Sequence, residues 1–479
     1  MRRKTKIVAT ISSKNCSVPF LEGLFAAGMD VVRLNTAHMD HEDALQVIRN
    51  TRAVSDNIGI LLDTKGPEIR TCPADEPLAV KFGDMVRIKG APDEMSHADV
   101  ICVSHASFVE DVPVGSSILI DDGLLALAVV EKAGDYLICS VENDGIINPR
   151  KSINIPSVHV TLPALSQKDK GFIAFAADND LDFIAHSFVR NKEDIRAVQL
   201  ILDEKKSGIK IIAKIENAEG VKNLSEIIDS CYGIMIARGD LAVEIPTEQI
   251  PLIQKRIIRQ CIEKRTPVIV ATQMLHSMIE SPRPTRAEVS DVANACLDYS
   301  DALMLSGETA NGKYPELAVR IMAKIAEEVE ADNTGNLDVP YSSKNKTAAY
   351  LAKAAVKAAI RLETKAIVAD TLTGKSILAL AAYRGQNVIY ARVYDKRVTR
   401  QLSLSYGVHA EYHPMDLTVN QSLTSSICHL VAEGRFKDTD LIVVLAGSFG
   451  VAQGASYIEI SLAENFRRNS QQTLDPAGD

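Results

Sequence analysis

A chain of 479 residues, 46% hydrophobic and 24% charged, has apolar material for a substantial core spread over roughly two to four domains. Its formal net charge of −9 excludes nucleic acid or an anionic membrane as a bulk partner, but not a small basic pocket for phosphate. No stretch reaches the ~18–20 apolar residues that span a bilayer, and no apolar segment of signal length follows the basic start. The eight cysteines are scattered with no Cys-x-x-Cys pair, so a cytoplasmic protein with reduced thiols is expected.

Taken in chain order, apolar runs with polar carboxyl ends recur at 6–11, 30–35 and 58–65, then at 182–188, 210–216, 233–240, 267–274 and 301–307. Helical periodicity separates most of them. Ile250, Ile253, Ile257, Ile258, Cys261 and Ile262 share one helix face, and Thr285 with Glu288 forms a capping box. Eight strand–helix repeats are the number that closes a (β/α)8 barrel, assigned here to 1–70 and 157–333. An open doubly wound sheet is the alternative, but no Gly-x-Gly-x-x-Gly follows the first run.

The series breaks between 71 and 156, where Asp-Asp-Gly and Asn-Asp-Gly turns separate short β-rich runs at 85–89, 117–120 and 137–141. This predicts a small β-barrel insertion at the catalytic face, placed to act as a lid. The polar stretch 333–346 reads as a linker. A C-terminal α/β domain, 334–479, follows with strands at 366–369, 388–391 and 441–445, and its tail from 467 is expected to be disordered.

Strand carboxyl ends in a parallel barrel face the place where a ligand sits. They carry Arg33 and Asn35, then Asp63, Thr64, Lys65, Glu68 and Arg70, then Ser187, Lys214, Glu216, Asp240, Thr272, Ser306 and Glu308. Lys214 and Glu216 are two apart, so a pleated strand points both to one side. Two carboxylates with otherwise hard ligands suit Mg²⁺ or Mn²⁺, while arginine and lysine suit phosphate. The set fits phosphoryl transfer, which needs positioning and charge neutralisation more than a nucleophile. Singly, each has a plainer reading: Lys214 and Glu216 as a structural ion pair, Arg33 as a stacking residue, Thr272 and Ser187 as backbone-bonding hydroxyls. Convergence on one barrel face favours the functional one. His186 reads as a packed or surface residue rather than a base.

These segments resemble pyruvate kinase. The similar motifs are Ile212-Ala-Lys214-Ile-Glu216-Asn217-Ala-Glu-Gly220, Met235-Ile-Ala-Arg238-Gly239-Asp240, Ala271-Thr272-Gln273-Met274, Leu62-Asp63-Thr64-Lys65-Gly-Pro-Glu68-Ile-Arg70 and Met304-Leu-Ser306-Gly-Glu308-Thr309. The resemblance implies transfer of the phosphoryl group of phosphoenolpyruvate to ADP, giving pyruvate and ATP. It implies Glu216 and Asp240 as ligands of Mg²⁺ or Mn²⁺. Lys214 would act at the phosphoryl in flight, and Gly239, Asp240, Thr272 and Ser187 would meet the substrate. Arg33, His38, Arg70 and Lys151 would steady phosphates, and Thr272 and Ser306 lie near the enolate. A K⁺ site would use Asn35, Asp63 and Thr64, but the family's serine is Ala37 here, so weakened K⁺ affinity is expected. Two further departures are Ser12-Ser13-Lys14-Asn15 after the first strand and Ala242 where the family has glycine. Thr371, Thr373, Gly374, Lys375 and Ser376 resemble the family's effector loop, for a sugar phosphate or nucleotide. The loop 447–454 lacks Arg or Lys for a second phosphate, so a monophosphorylated effector, or none, is favoured over fructose 1,6-bisphosphate. A homotetramer is implied. A metal-dependent aldolase or lyase and a non-catalytic metabolite sensor are the competing readings; Arg70, Lys151 and the lid argue against the first, and the intact catalytic set against the second.

Overall fold

Eight parallel strands pair in chain order and close on themselves: β1 (Lys6–Thr10), β2 (Val31–Asn35), β3 (Gly59–Asp63), β4 (Phe183–His186), β5 (Lys210–Ile215), β6 (Gly233–Ala237), β7 (Val268–Ala271) and β8 (Ala302–Leu305). The computed structural model describes residues 3–466 apart from 98–99, 157, 159, 161, 333–336, 338, 341–345, 415–418 and 448–454; for 419–422 it describes the backbone alone. The expected linker falls largely outside the described residues, as do most of the loop 447–454 and the whole tail from 467.

The two-residue period of a strand decides what fills the barrel. Val8, Val31, Leu61, Phe183, Ile212, Met235, Ile269 and Met304 point inward and form one buried cluster. Their neighbours Ile7, Val32, Ile60, Ile184, Ala213, Ile234 and Leu303 point outward and pack under the helices. Those helices start where the sequence signals them. Thr285 Oγ1 accepts the Glu288 N–H while the Glu288 carboxylate accepts the Thr285 N–H, capping Arg286–Leu297. Helix Ile250–Lys264 buries Ile250, Ile257, Ile258, Cys261 and Ile262, with Ile253 partly covered.

Every strand is shorter than its apolar run, β6 and β7 by the most at their carboxyl ends. β6 ends at Ala237 because Arg238–Glu244 turns helical at once. β7 ends at Ala271 because Thr272 and Gln273 take left-handed backbone, φ 69° and 55°.

After β3 the chain builds a seven-stranded sheet whose own core includes Ile88, Ile101, Phe108, Leu127, Leu137 and Cys139. Its first strand is Ile69–Arg70 and its last Ser152–Asn154, and these two pair with each other, Arg70 opposite Ser152. Both connections to the barrel therefore leave side by side.

The C-terminal sheet comprises β9 (Ala366–Thr371), β10 (Val388–Val393), β11 (Val408–Tyr412), β12 (Leu441–Ala446) and β13 (Tyr457–Leu462), in the order β11-β10-β9-β12-β13 with the last strand antiparallel. β11 and β13 escape the apolar-run reading because they are edge strands with exposed or half-exposed polar residues, such as His409, Glu411 and Glu459.

This domain packs under the amino ends of the barrel strands. Arg384 forks onto Asp301 at 2.7 and 3.0 Å, and Arg400 Nε meets Asp182 at 2.5 Å. Leu404 joins the inner barrel cluster. At Gly59 a Cβ would lie 2.5 Å from Ser403 Oγ and 3.2 Å from the Arg400 carbonyl, so only glycine permits this approach. Among the described residues no helix is long and apolar enough to cross a membrane.

Arg384 and Asp301 are only 3% and 4% exposed at their side chains, so removing one partner strands a buried charge. Arg384→Ala is expected to cost about 3–5 kcal/mol, read as a lowered urea midpoint. A change below about 1 kcal/mol would show that the pair is not holding the two domains together.

Candidate active site

At the carboxyl end of the barrel the inward positions switch from apolar to charged. Lys214 Nζ lies 3.0 Å from Asp63 Oδ1 and 2.9 Å from Glu216 Oε1, and it donates to Ser187 Oγ at 2.7 Å. Asp63 Oδ2 takes Arg33 Nε at 2.7 Å, and Arg33 also donates to Thr10 Oγ1 at 3.0 Å. Ser187 Oγ in turn donates to the Thr64 carbonyl at 2.6 Å. Every charged member is buried: Asp63 and Glu216 1% exposed, Arg33 8%, Lys214 9%.

Burial opposes each charge, and the partners decide the outcome. The carboxylates of Asp63 and Glu216 outweigh burial at Lys214 and keep its ammonium protonated well beyond neutral pH. Asp63 is likewise held below the usual carboxylate range, against burial, by Lys214 and Arg33. Glu216 goes the other way. Burial, with Asp240 and Asp63 adding, pushes it up to about 7 despite Lys214.

Local structure fixes these groups. The Phe188 N–H donates to Glu216 Oε2 at 2.6 Å, with Phe188 at φ 55°. Asn217 Oδ1 accepts the Gly220 N–H and so caps the helix that follows β5. Thr272 Oγ1 accepts the Gly239 N–H at 2.9 Å and donates to the Ala271 carbonyl at 2.7 Å. A β-branched residue at φ 69° stores of order 1–3 kcal/mol of strain, offset here by bonds that over-determine its position. Arg238 holds the same loop by donating to the Thr272 carbonyl at 2.8 Å and pairing with Asp291 at 2.7 Å.

A cleft of about 830 Å³ separates the inserted sheet from the barrel mouth, with Arg70, Asp121, Lys151, Asn154, Asp240 and Glu244 on its walls. Two of its cations have their own acid: Arg70 Nε meets Glu68 at 2.6 Å, and Lys151 Nζ meets Asp121 at 3.0 Å. The Asp240 carboxyl is raised by burial, with Asp122 and Asp63 adding, against Lys214.

The structure thus joins Arg33, Asp63, Thr64, Ser187, Lys214 and Glu216 in one network, and Gly239 with Thr272 in another. Arg70, Lys151 and Asp240 share the cleft. It does not join all of the expected set. His38 is exposed on the short turn Thr36–His38, and Asn35 Oδ1 accepts the Ala37 N–H of that same turn. Ser306 gives its N–H to Glu308 at 2.8 Å. Thr371, Thr373, Gly374, Lys375 and Ser376 lie in the C-terminal domain, where Thr371 Oγ1 accepts the Gly374 N–H at 2.9 Å and Lys375 opens the helix Lys375–Ala382.

Sequence reasoning missed Thr10, Phe188 and Asp291, and gave Glu308 no role. Thr10 was findable, since it pairs in register with Arg33 and shares its inward parity. Glu308, buried and bonded to the N–H groups of Leu275 and Ser306, ties the loops after β7 and β8 together. Asp63, read only as an oxygen ligand, is the acid between the two buried cations.

An inward ring of opposite charges at the mouth of a closed parallel barrel, beside a cleft with further cations, defines an enzyme of the (β/α)8 class built for a phosphorylated substrate. Residues 2–319 match the family model "Pyruvate kinase, barrel domain", and 350–461 match "Pyruvate kinase, alpha/beta domain". The pyruvate kinase of Borreliella burgdorferi is 44% identical over 467 residues, covering 96% of this chain and 98% of the relative. That of Geobacillus stearothermophilus is 42% identical, covering 93% and 78%. The crystal structure of a pyruvate kinase from Cryptosporidium parvum superposes with a TM-score of 0.91 at 36% identity, covering 96% of each chain. The chain belongs to the pyruvate kinase family, and it is a kinase that transfers the phosphoryl group of phosphoenolpyruvate to ADP, giving pyruvate and ATP.

His186, next to Ser187, points outward from β4 and is 1% exposed, with neither ring nitrogen hydrogen-bonded among the described residues. Burial lowers its pKa from 6.5 to about 4. A histidine depressed in the folded state gives stability that is complete above the unfolded pKa and is lost as pH falls from 6.5 towards 4. That difference corresponds to roughly 3 kcal/mol. His186→Leu is expected to flatten the stability profile over that interval in urea titrations; equal slopes in both proteins would refute the assignment.

Proposed function

We propose that Lys214 is the group at the moving phosphoryl of this pyruvate kinase. The observation that carries the reading is its ammonium, held charged and nearly dry between Asp63, Glu216 and Ser187 with Arg33 alongside. A fixed cation in a low-dielectric pocket stabilises the charge that spreads over phosphoryl oxygens, and it needs no reorganisation when the bond breaks. Arg33, anchored by Asp63 and Thr10, presents its guanidinium to the same phosphoryl group. Thr272, Gly239 and Asp240 receive the substrate carboxylate, Ser187 positions Lys214, and Ser306 stands with Thr272 near the enolate carbon.

The donor set suits a divalent cation. Glu216 and Asp240 are largely buried, both raised in pKa, with Asp240 adding to the rise at Glu216, and hard carboxylate oxygens match Mg²⁺ or Mn²⁺. When bound, that ion supplies positive charge against the substrate's oxygens. Asn35, Asp63 and Thr64 are assigned to K⁺. Asp63 also serves Arg33 and Lys214, and Ala37 offers no side-chain oxygen, which supports weakened K⁺ affinity.

Arg70, Lys151, Arg33 and His38 are assigned to the nucleotide phosphates, the first two because they line the cleft. We assign 1–70 with 157–333 to the catalytic barrel, 71–156 to a lid, and 334–479 to a regulatory and oligomerisation domain. Thr371, Thr373, Gly374, Lys375 and Ser376 form its phosphate-binding loop for a sugar-phosphate or nucleotide effector. The assembly is a cytoplasmic homotetramer.

Pyruvate formation from phosphoenolpyruvate, with ADP and Mg²⁺, tests the reading. Lys214→Met is expected to lower kcat by orders of magnitude while Mn²⁺ binding persists; a variant retaining a tenth of the wild-type rate would remove Lys214 from the mechanism. In the same assay Ala37→Ser is expected to lower the K⁺ concentration for half-maximal rate. A wild-type rate indifferent to K⁺ would overturn the monovalent site.

A further inference from the structure

Far from the barrel mouth, the edge of the C-terminal sheet gathers a second set of metal-ligating side chains. Glu411 lies on β11, and imidazoles approach its carboxylate from three directions. His409 Nε2 is 3.0 Å from Oε1, while His413 Nε2 and His429 Nε2 are 3.8 and 4.0 Å from Oε2. His429 belongs to the helix Val419–Ala432, and its Nε2 is 3.1 Å from Oε1 of Glu433, one turn further on. Donor atoms of Glu411, His429 and Glu433 all lie within 4.8 Å of one another.

We propose that Glu411, His429 and Glu433, with His413 as a fourth donor, bind one divalent cation of the zinc class. The spacing fits. Donors about 2.0–2.1 Å from a tetrahedral Zn²⁺ stand about 3.3 Å apart, against 3.1 Å from His429 to Glu433, 3.8 and 4.0 Å from His413 and His429 to Glu411, and at most 4.8 Å between any two of Glu411, His429 and Glu433. The chemistry selects the ion: mixed imidazole and carboxylate donors suit Zn²⁺, Co²⁺ or Ni²⁺, whereas Mg²⁺ demands oxygen and water. The outer contacts suit it too. His409 occupies the other oxygen of Glu411, and Arg435 Nε, 2.9 Å away, occupies Oε2 of Glu433. Each carboxylate thus turns one oxygen towards His429 and has the other held in place, the arrangement that orients metal ligands. Half-exposed His429 gives the ion an entry path. Bound there, the ion would clasp the edge strand to the helix that follows it in sequence, a link independent of the catalytic carboxylates.

The test uses the full-length protein, stripped with a chelator and returned to excess Mg²⁺, which covers Glu216 and Asp240. Zn²⁺ uptake is followed by equilibrium dialysis and by the shift in thermal unfolding temperature. The wild type is expected to take up one Zn²⁺ per chain and to unfold at a higher temperature with it. His429→Ala should bind zinc at least about 10–100-fold more weakly and lose the thermal shift, with unchanged kcat in Mg²⁺. His413→Ala, which leaves three donors, should weaken binding less and guards against a folding artefact in the first variant. Equal zinc uptake by wild type and His429→Ala would overturn the site, as would uptake that rising Mg²⁺ abolishes.

Discussion

A strand in a closed barrel alternates between inside and outside, and that period of two governs both the stability and the chemistry of this molecule. The inward set of β5 reads Ile212, Lys214, Glu216, and that of β3 reads Leu61 then Asp63. The same parity that seals the barrel base with aliphatic carbon delivers charge to its mouth. One inserted residue in any of these strands would exchange the two sets, placing isoleucines at the mouth and carboxylates against the helices.

Charge this deeply buried is tolerated because it is matched. Arg33 and Lys214 would repel across the barrel without Asp63 between them, and Asp63 would pay heavily for desolvation without both. Such a network contributes little net stability. What it does is hold a buried ammonium at a defined point, and the left-handed residues Phe188 and Thr272 show that the surrounding fold absorbs strain to keep that point fixed.

Much of this was legible in the sequence, because barrel strands are short apolar runs with abrupt polar ends and their order is their pairing order. Lys214 with Glu216, Arg33 and Thr272 followed from pleat parity and position at strand ends. Partnerships between distant segments did not. Nothing local marks Asp63 as the counter-ion of two cations, Asp291 as the anchor of Arg238, or Asp182 and Asp301 as seats for arginines of another domain. The edge strands β11 and β13 were missed since half-exposed strands dilute the apolar signal. The run at 233–240 overshoots β6 because charged residues at a strand end, Arg238 and Asp240, look the same in sequence whether the backbone stays extended or, as here, turns helical at once.

The pairing of Ile69–Arg70 with Ser152–Asn154 gives the inserted sheet a single two-stranded stem. A body held by one ribbon swings about that ribbon, and the points beside it travel least. Arg70 and Lys151 sit at the pivot, while the far edge of the sheet sweeps the widest arc. The cleft can thus change its width with Arg70 and Lys151 nearly still, much as a door moves little at the hinge.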